Sequence, residues 1–471
     1  MPGRVLLISV NQCEHPYPVF PLGLSHLDAA LRAAGHETRW LDLNLADSSA
    51  LATTLGTFRP DVVGLSLRNI DDVLIRKREV YFEPLAALCR SIREQTRAPV
   101  VLGGSGFSIF PRELLELSGA DFGIQGEGEE SFPALLRSLA RGDDYAAIPG
   151  LVFRGADGIV ANSRPAGAAV SEWGLVERPD ELARYYVQRS TMLNVQTQRG
   201  CSFTCCYCTY PLIEGSRFRR RDPEIVAEEF ARLAGQGTRY VFIVDSVFNS
   251  SAEHVASVCE ALLRRNLQIK WGCFLRPAGL SADLVALMAR AGLAHIEFGS
   301  DSFCDEVLRD YGKRFTFDDV LASSEYAHRA GVDYCHFLVC GGPGETRLTL
   351  QQTYENSLRL PNAVVLAVAG MRIYPGTPLF KLAVAEGRIE PGASLLRPEY
   401  YLTPDLTEAE TFSMLEEFAR RSPHWIVGDP PPTYLKLVER LRQKGVVGPL
   451  WAYFTWMQRL RKAAGGFGGN A

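Results

Sequence analysis

Four of the eleven cysteines in this 471-residue chain crowd into one run, Arg199-Gly-Cys-Ser-Phe-Thr-Cys-Cys-Tyr-Cys208. Cys201, Cys205 and Cys208 stand at the spacing C-x3-C-x2-C. Three thiolates on one short loop can hold three irons of a cubane and leave the fourth iron open to a small ligand. A fully closed cluster takes four cysteines. A structural zinc site takes a second ligand pair at recognisable spacing, and the sequence offers none. Cys206 disturbs no spacing and reads as a bystander. The other cysteines, at 13, 89, 259, 273, 304, 335 and 340, are scattered.

The elements that must position this loop follow from the patterning on either side. The first 140 or so residues alternate short apolar strands with amphipathic helices, at Arg4–Val10, Glu37–Leu43, Asp61–Leu67, Val100–Gly103 and Asp121–Ile124. Such strands belong to a parallel sheet buried on both faces. A doubly wound domain of this kind binds ligands beyond the carboxyl ends of its strands. Three loops fall there: Ser66–Asp71, Gly103–Gly106 and Gly126–Glu129. The rhythm stops between about 146 and 190. There Ala156-Asp-Gly158 reads as a hairpin turn and the Ala/Gly/Pro/Ser stretch Ala161–Ser171 as a linker. It resumes at Thr191 with strands at Leu193–Gln198, Tyr240–Val244, Ile269–Phe274, His295–Gly299, Tyr334–Val339 and Val364–Ile373. Six βα units predict a partial barrel whose strand carboxyl ends carry the chemistry. The helix from Pro223 has a good start, with Asp222 as N-cap.

The expected architecture is α/β: a doubly wound domain over 1–145, a linker over 146–190, a partial (β/α)6 barrel over 191–385 and a mostly helical segment over 386–471. Hydrophobic residues at 46% and charged residues at 22% suit a soluble globular protein. Lys and Arg number 50 against 54 Asp and Glu, a net charge of −4, which argues against an electrostatic nucleic-acid binder. The opening run MPGRVLLISV is too short for a signal peptide and reads as the first strand. No apolar stretch reaches the roughly 20 residues that span a bilayer. The expected location is the cytoplasm, where disulfides are disfavoured.

The cysteine loop, the βα repeat behind it and the glycine- and acid-bearing strand ends resemble the radical S-adenosylmethionine (SAM) superfamily, in its branch with an N-terminal cobalamin-binding-type domain. The resemblance covers roughly residues 1 to 390. It implies a 4Fe–4S cluster on Cys201, Cys205 and Cys208 whose open iron is chelated by SAM, and reductive cleavage of SAM to a 5′-deoxyadenosyl radical. It also implies SAM contacts from Tyr207; Asp245 and Ser246; Asp301 and Ser302; Gly341, Gly342 and Glu345; and Arg372. In the third of these groups the order Ser-Asp-Ser departs from the family's acid-serine pair.

The first domain is similar to cobalamin domains but lacks their Asp-x-His-x-x-Gly signature. None of the eight histidines has Asp two residues before it. Branch members commonly hold cobalt without that histidine, and the corrin would rest on Ser66, Arg68 and Asn69, on Gly103, Gly104 and Ser105, and on Gly126, Glu127 and Gly128. The reading that follows is a cobalamin-dependent methyltransferase acting on an unactivated carbon of a small-molecule or lipid substrate. The alternatives are a radical enzyme with an empty cobalamin-type domain that couples, rearranges or transfers another SAM-derived group, and a non-catalytic cobalamin or iron–sulfur sensor.

Other residues carry two readings. Cys273, Cys335 and Cys340 on inner strands could meet substrate or be small buried apolar groups. Alternation sets Cys335 and Cys340 on opposite faces. His336 shares a face with Cys340 and is either a proton donor or a hydrogen-bonded core histidine. The basic run Arg217–Arg221 could meet an acidic substrate or a flavodoxin- or ferredoxin-type electron donor, or be a solvated helix approach. The aromatic stretch Val446–Met457, flanked by Lys444 and by Arg459, Arg461 and Lys462, reads as a terminal helix packed on the barrel or as a lipid-facing segment.

Overall fold

The strands of the first domain are short because both of their faces are covered. In the computed structural model, which describes residues 3–12, 17–164, 173–428 and 432–455, β1 is Arg4–Ser9, β2 Glu37–Asp42, β3 Val62–Ser66, β4 Val100–Gly103 and β5 Phe122–Ile124. Leu6 and Ile8 of β1 pack into one apolar cluster, and Val5 and Leu7 into the cluster on the opposite side. The strands run parallel in the order β2-β1-β3-β4-β5. The order reverses between β1 and β3, so a crevice opens between the loops that follow these two strands.

The hairpin predicted at Ala156-Asp-Gly158 is present and belongs to this sheet. Its strands β6 (Leu151–Gly155) and β7 (Gly158–Ala161) extend it antiparallel from β5. The expected linker therefore begins as part of the first domain. Most of its Ala/Gly/Pro/Ser portion, 165–172, lies outside the described residues, as does Cys13.

The second half starts with β8 (Leu193–Val195), the antiparallel pair β9 (Gln198–Arg199) and β10 (Arg219–Arg220), and β11 (Tyr240–Ile243). It continues with β12 (Lys270–Leu275), β13 (Leu293–Asp301), β14 (Asp333–Cys340) and β15 (Val364–Ala369), then a small pair β16 (Met371–Arg372) and β17 (Tyr400–Tyr401), and ends with β18 (Trp425–Val427). The parallel sheet reads β8-β11-β12-β13-β14-β15-β18. The six expected strands are all there, and β18 is a seventh: Val365 pairs with Trp425 in parallel register. The segment after 386 is thus not simply helical. Three residues are too few to show strand periodicity in a sequence, and pairing with β15 is what makes them a strand. Asp222 caps the helix Pro223–Gly235, accepting from the backbone N–H of Glu224.

Buried polar contacts join the halves. Arg372 bonds Asp71 at 2.8 Å, Tyr186 donates to Asp42 at 2.7 Å, and Asn194 donates to the Phe20 carbonyl at 2.9 Å. The described part of the C-terminal aromatic stretch packs inward: Trp451 and Ala452 cover Cys335 and Val364, and Tyr453 meets Val438 and Leu441. Its flanking Arg459, Arg461 and Lys462 lie outside the described residues. No described helix is long and apolar enough to cross a membrane.

Candidate active site

The cysteine loop leaves β9 through Gly200, whose φ is +82° and whose added Cβ would sit 2.0 Å from the Arg217 carbonyl. Only glycine tolerates both. The loop is then tied down along its length. Cys201 N–H donates to the Gly215 carbonyl, Cys206 N–H to the Tyr311 carbonyl and Cys208 N–H to the Cys205 carbonyl. Below it, Asp245 accepts from the Thr197 and Gln198 N–H groups and the Thr197 hydroxyl, while Ser246 donates to the Gly200 carbonyl at 3.0 Å.

The thiols of Cys201, Cys205 and Cys208 lie within one another's electrostatic reach. Burial pushes Cys208 up to about 12, with the Cys205 and Cys201 charges adding to the shift. Thiolates that oppose one another's ionisation suit a bound cationic centre that neutralises all three. Among the described residues no group of three or more His, Cys, Asp or Glu is arranged to hold a single metal ion. This donor set fits separate corners of a cluster. Cys206 turns away into the apolar cluster with Tyr311, Leu379 and Tyr401.

Beside the loop, the Tyr207 hydroxyl donates to Asp301 at 2.6 Å, and Lys313 lies 2.5 Å from the same carboxylate. Burial opposes the charge on Lys313, but Asp301 and then the Cys205 and Cys208 thiols outweigh it and hold the ammonium charged. Sequence reading missed Lys313. Its only signal is the Gly312-Lys313 pair that follows the helix Asp305–Asp310. It also missed Arg276 at the end of β12, which lies over the Phe203 ring of the loop at 4.2 Å and feels the Cys205 and Cys201 thiols.

Several expected contact residues already hold partners within the protein. Asp245 is fully buried, pushed up to about 7 by that burial, and its oxygens serve the backbone beneath the loop. Ser302 pairs with Thr353 and accepts from Cys304 N–H. Glu345 accepts from Gly341 N–H inside its own turn, and Gly342 N–H donates to Tyr311. Arg372 spends its guanidinium on Asp71 and on the carbonyls of Ile373 and Leu395, bridging the domains. His336 is a core histidine: its ring nitrogens meet Ser300 and Ser324 at 2.7 and 3.0 Å, and Phe298 stacks on it. Cys340 and Cys273 sit in the main apolar core. In the basic run, Arg221 is buried against Glu229 and Arg219 pairs with Glu127, so the run is not a free patch.

A cavity of about 1000 Å³ joins the two halves. All nine residues expected from the loops after β3, β4 and β5 line it, from Ser66 to Gly128. Gly104, at φ +99°, approaches so closely that a Cβ would lie 2.4 Å from the Leu67 carbonyl, whereas Gly103 has only the Ile124 carbonyl nearby. The two glycines leave a strand end without side chains, a surface on which a large flat macrocycle fits. Asn11 shapes the loop beside it, accepting from Arg68 and Asn69 N–H at 2.6 and 3.2 Å. Glu127 lines the cavity but is also paired with Arg219 and Arg199, a junction rather than a free contact. The opposite wall comes from the second half: Met192, Phe242, Val244, Phe274 and Glu297.

Known proteins share this plan. The profile of the Radical SAM superfamily matches residues 195–356, and that of the B12 binding domain matches residues 3–136. The chain is 28% identical over 446 residues to the tryptophan 2-C-methyltransferase of Streptomyces laurentii, covering 80% of this chain and 74% of that protein. It is 26% identical over 388 residues to the hopanoid C-3 methylase of Methylococcus capsulatus, covering 78% and 70%. It superposes on the radical SAM methyltransferase TsrM of Kitasatospora setae, solved with cobalamin and a 4Fe–4S cluster, at a TM-score of 0.88 and 25% identity over 98% of this chain and 100% of that one. The cobalamin-dependent radical enzyme OxsB shares the fold, at a TM-score of 0.72 and 16% identity over 89% and 67%.

Proposed function

Because the chain belongs to the radical SAM superfamily, in the branch with an N-terminal B12 binding domain, we propose that it is a cobalamin-dependent methyltransferase that methylates an unactivated carbon of a small organic substrate. The observation that carries this reading is the single cavity, walled by the corrin-type loops of the first domain on one side and by the barrel interior on the other. A methyl donor on the first wall and a substrate on the second would then face each other without crossing solvent. When bound, the cofactors supply reductive cleavage of SAM at the cluster and a methyl group carried on cobalt.

The chain's own residues do the rest. Cys201, Cys205 and Cys208 ligate the cluster. Lys313, held by Asp301, offers positive charge to the SAM carboxylate, and Tyr207 fixes Asp301. The backbone of Gly341 and Gly342 and the loop at Ser246 flank the SAM site. Ser66, Arg68, Asn69, Ser105 and the glycines of the three loops cradle the corrin. An exposed face beside the cluster loop, including Arg217 and Arg220, receives a small electron-transfer protein.

Anaerobic reconstitution with iron, sulfide and cobalamin tests the proposal. The expected result is bound cobalt, SAM-derived 5′-deoxyadenosine on reduction, and transfer of a deuterated methyl group from SAM to product. Protein that carries a full cluster but no cobalt, and forms no methylated product, would refute it.

A further inference from the structure

Glu297 is the one acid on the cavity wall contributed by a barrel strand, in the middle of β13. Its neighbours in sequence, Ile296 and Phe298, point the other way, into the main core. By alternation Glu297 faces the barrel interior. The wall around it is apolar: Met192, Phe242 and Phe274, the last two in edge contact at 4.9 Å, with Tyr17 beside them. The carboxylate is 7% exposed. Its hydrogen-bond donor among the described residues is the indole N–H of Trp451, at 2.9 Å, and no Lys or Arg among them pairs with it. Arg442 stands behind Tyr17, over its ring at 5.3 Å, and donates through Nη1 to the Arg189 carbonyl; it forms no ion pair with Glu297.

A carboxylate removed from water calls for a cation or several donors. Of the other buried acids around the site, Asp301 has Lys313, Glu229 has Arg178 and Arg221, Asp71 has Arg372 and Asp245 has three donors beneath the loop, while Glu345 takes the Gly341 N–H inside its own turn and does not line the cavity. Among the described residues Glu297 differs in facing the cavity with a single neutral donor. We infer that Glu297 is a substrate-recognition residue, and that the substrate is an amine on an aromatic or similarly large apolar body, its nitrogen bound by Glu297 and its body held among Phe242, Phe274 and Met192. Trp451 positions the carboxylate from the C-terminal segment. This deepens the proposed function, on which it rests for the statement that the barrel end of the cavity takes the substrate.

The test is calorimetric titration of cluster- and cobalamin-loaded enzyme, without SAM, with tryptamine and with indole-3-propionate. These probes share an aromatic body and differ in the charge of the tail. Tryptamine should bind about tenfold or more tighter than the acid, the worth of one charge-assisted hydrogen bond. Glu297→Gln keeps the oxygen that Trp451 needs and should erase that preference, while Trp451→Phe should keep most of it. Thermal melting of each variant checks that it is folded. Wild-type enzyme that fails to bind tryptamine, or binds both probes alike, overturns the inference. So does a Glu297→Gln enzyme that still prefers the amine. Because no turnover is read, a missing methyl transfer with the amine preference intact would count against the proposed reaction and leave this site standing.

Discussion

Strand β13 carries two buried carboxylates four residues apart, and they are treated differently. Asp301, at the carboxyl end beside the cysteine loop, is closed in by Lys313 at 2.5 Å and by the Tyr207 hydroxyl at 2.6 Å. Glu297, four residues earlier in the same strand, has a single neutral donor among the described residues, the Trp451 indole. In the upper region the carboxylate is already paired within the protein, which fixes its geometry before a charged cosubstrate arrives. The lower region is complementary to a partner of opposite charge. The contrast separates the machinery that makes the reactive species from the wall that chooses what it acts on.

The largest effect should come from the thiols that define the upper region. Replacing Cys201, Cys205 or Cys208 by Ser should abolish cluster incorporation and deoxyadenosine formation, while Cys206→Ser should retain both; iron quantitation of the four variants decides it. Next, Lys313→Met strands Asp301 as a buried, unpaired charge, and should lower stability by about 3–5 kcal/mol in denaturant titration. Adding Asp301→Asn should recover part of that loss. If Lys313→Met is neutral, the pairing that distinguishes the upper region means little. The Asp71–Arg372 pair is remote from the thiols but equally buried. A double-mutant cycle with Asp71→Asn and Arg372→Met should give a coupling on the order of 1–3 kcal/mol, showing that pairing, and not nearness to the cluster, sets the energetics.

The smallest effect belongs to Glu297. Glu297→Gln removes a charge that has no counter-ion among the described residues and should leave the melting temperature unchanged or raise it, opposite in sign to Lys313→Met. Burial lifts Glu297 from 4.5 to about 7. Between those values the folded carboxyl holds its proton and the unfolded one has lost it, so its contribution is present at low pH and is lost as pH rises through that window. Asp245 and Glu345, each also raised to about 7, act in the same sense. Around Glu297 stand Trp451, Tyr17, Tyr453 and Cys335, with Arg442 behind Tyr17. Urea titrations across this range should therefore show a shallower fall in stability for Glu297→Gln than for wild type. An identical slope would mean that Glu297 titrates like an exposed acid.

Much of this protein was legible in one dimension. The thiol spacing, the glycine that starts the loop, the buried parallel strands and the three glycine-bearing loops are local features, fixed by covalent spacing and by side-chain periodicity over a few residues. The nine loop residues assigned to the first domain's ligand all line the cavity for that reason. What a linear reading could not show were the partners that distant parts of the chain bring to a residue. Arg372 looked like a ligand contact at a strand end, but its partner Asp71 lies 301 residues away. Asp245 and Glu345, expected as contacts, also brace the backbone beneath the loop and in their own turn. Strand β18 is three residues long and exists only because β15 offers it an edge. Glu297 had no signal at all, since nothing in Ala-His-Ile-Glu-Phe distinguishes an acid paired in the core from one facing a cavity. The sequence by itself determined the chemistry of the loop and the class of scaffold. Only the tertiary structure decided which charges are already satisfied, because that depends on what folding brings within hydrogen-bond distance and on how much water is left between.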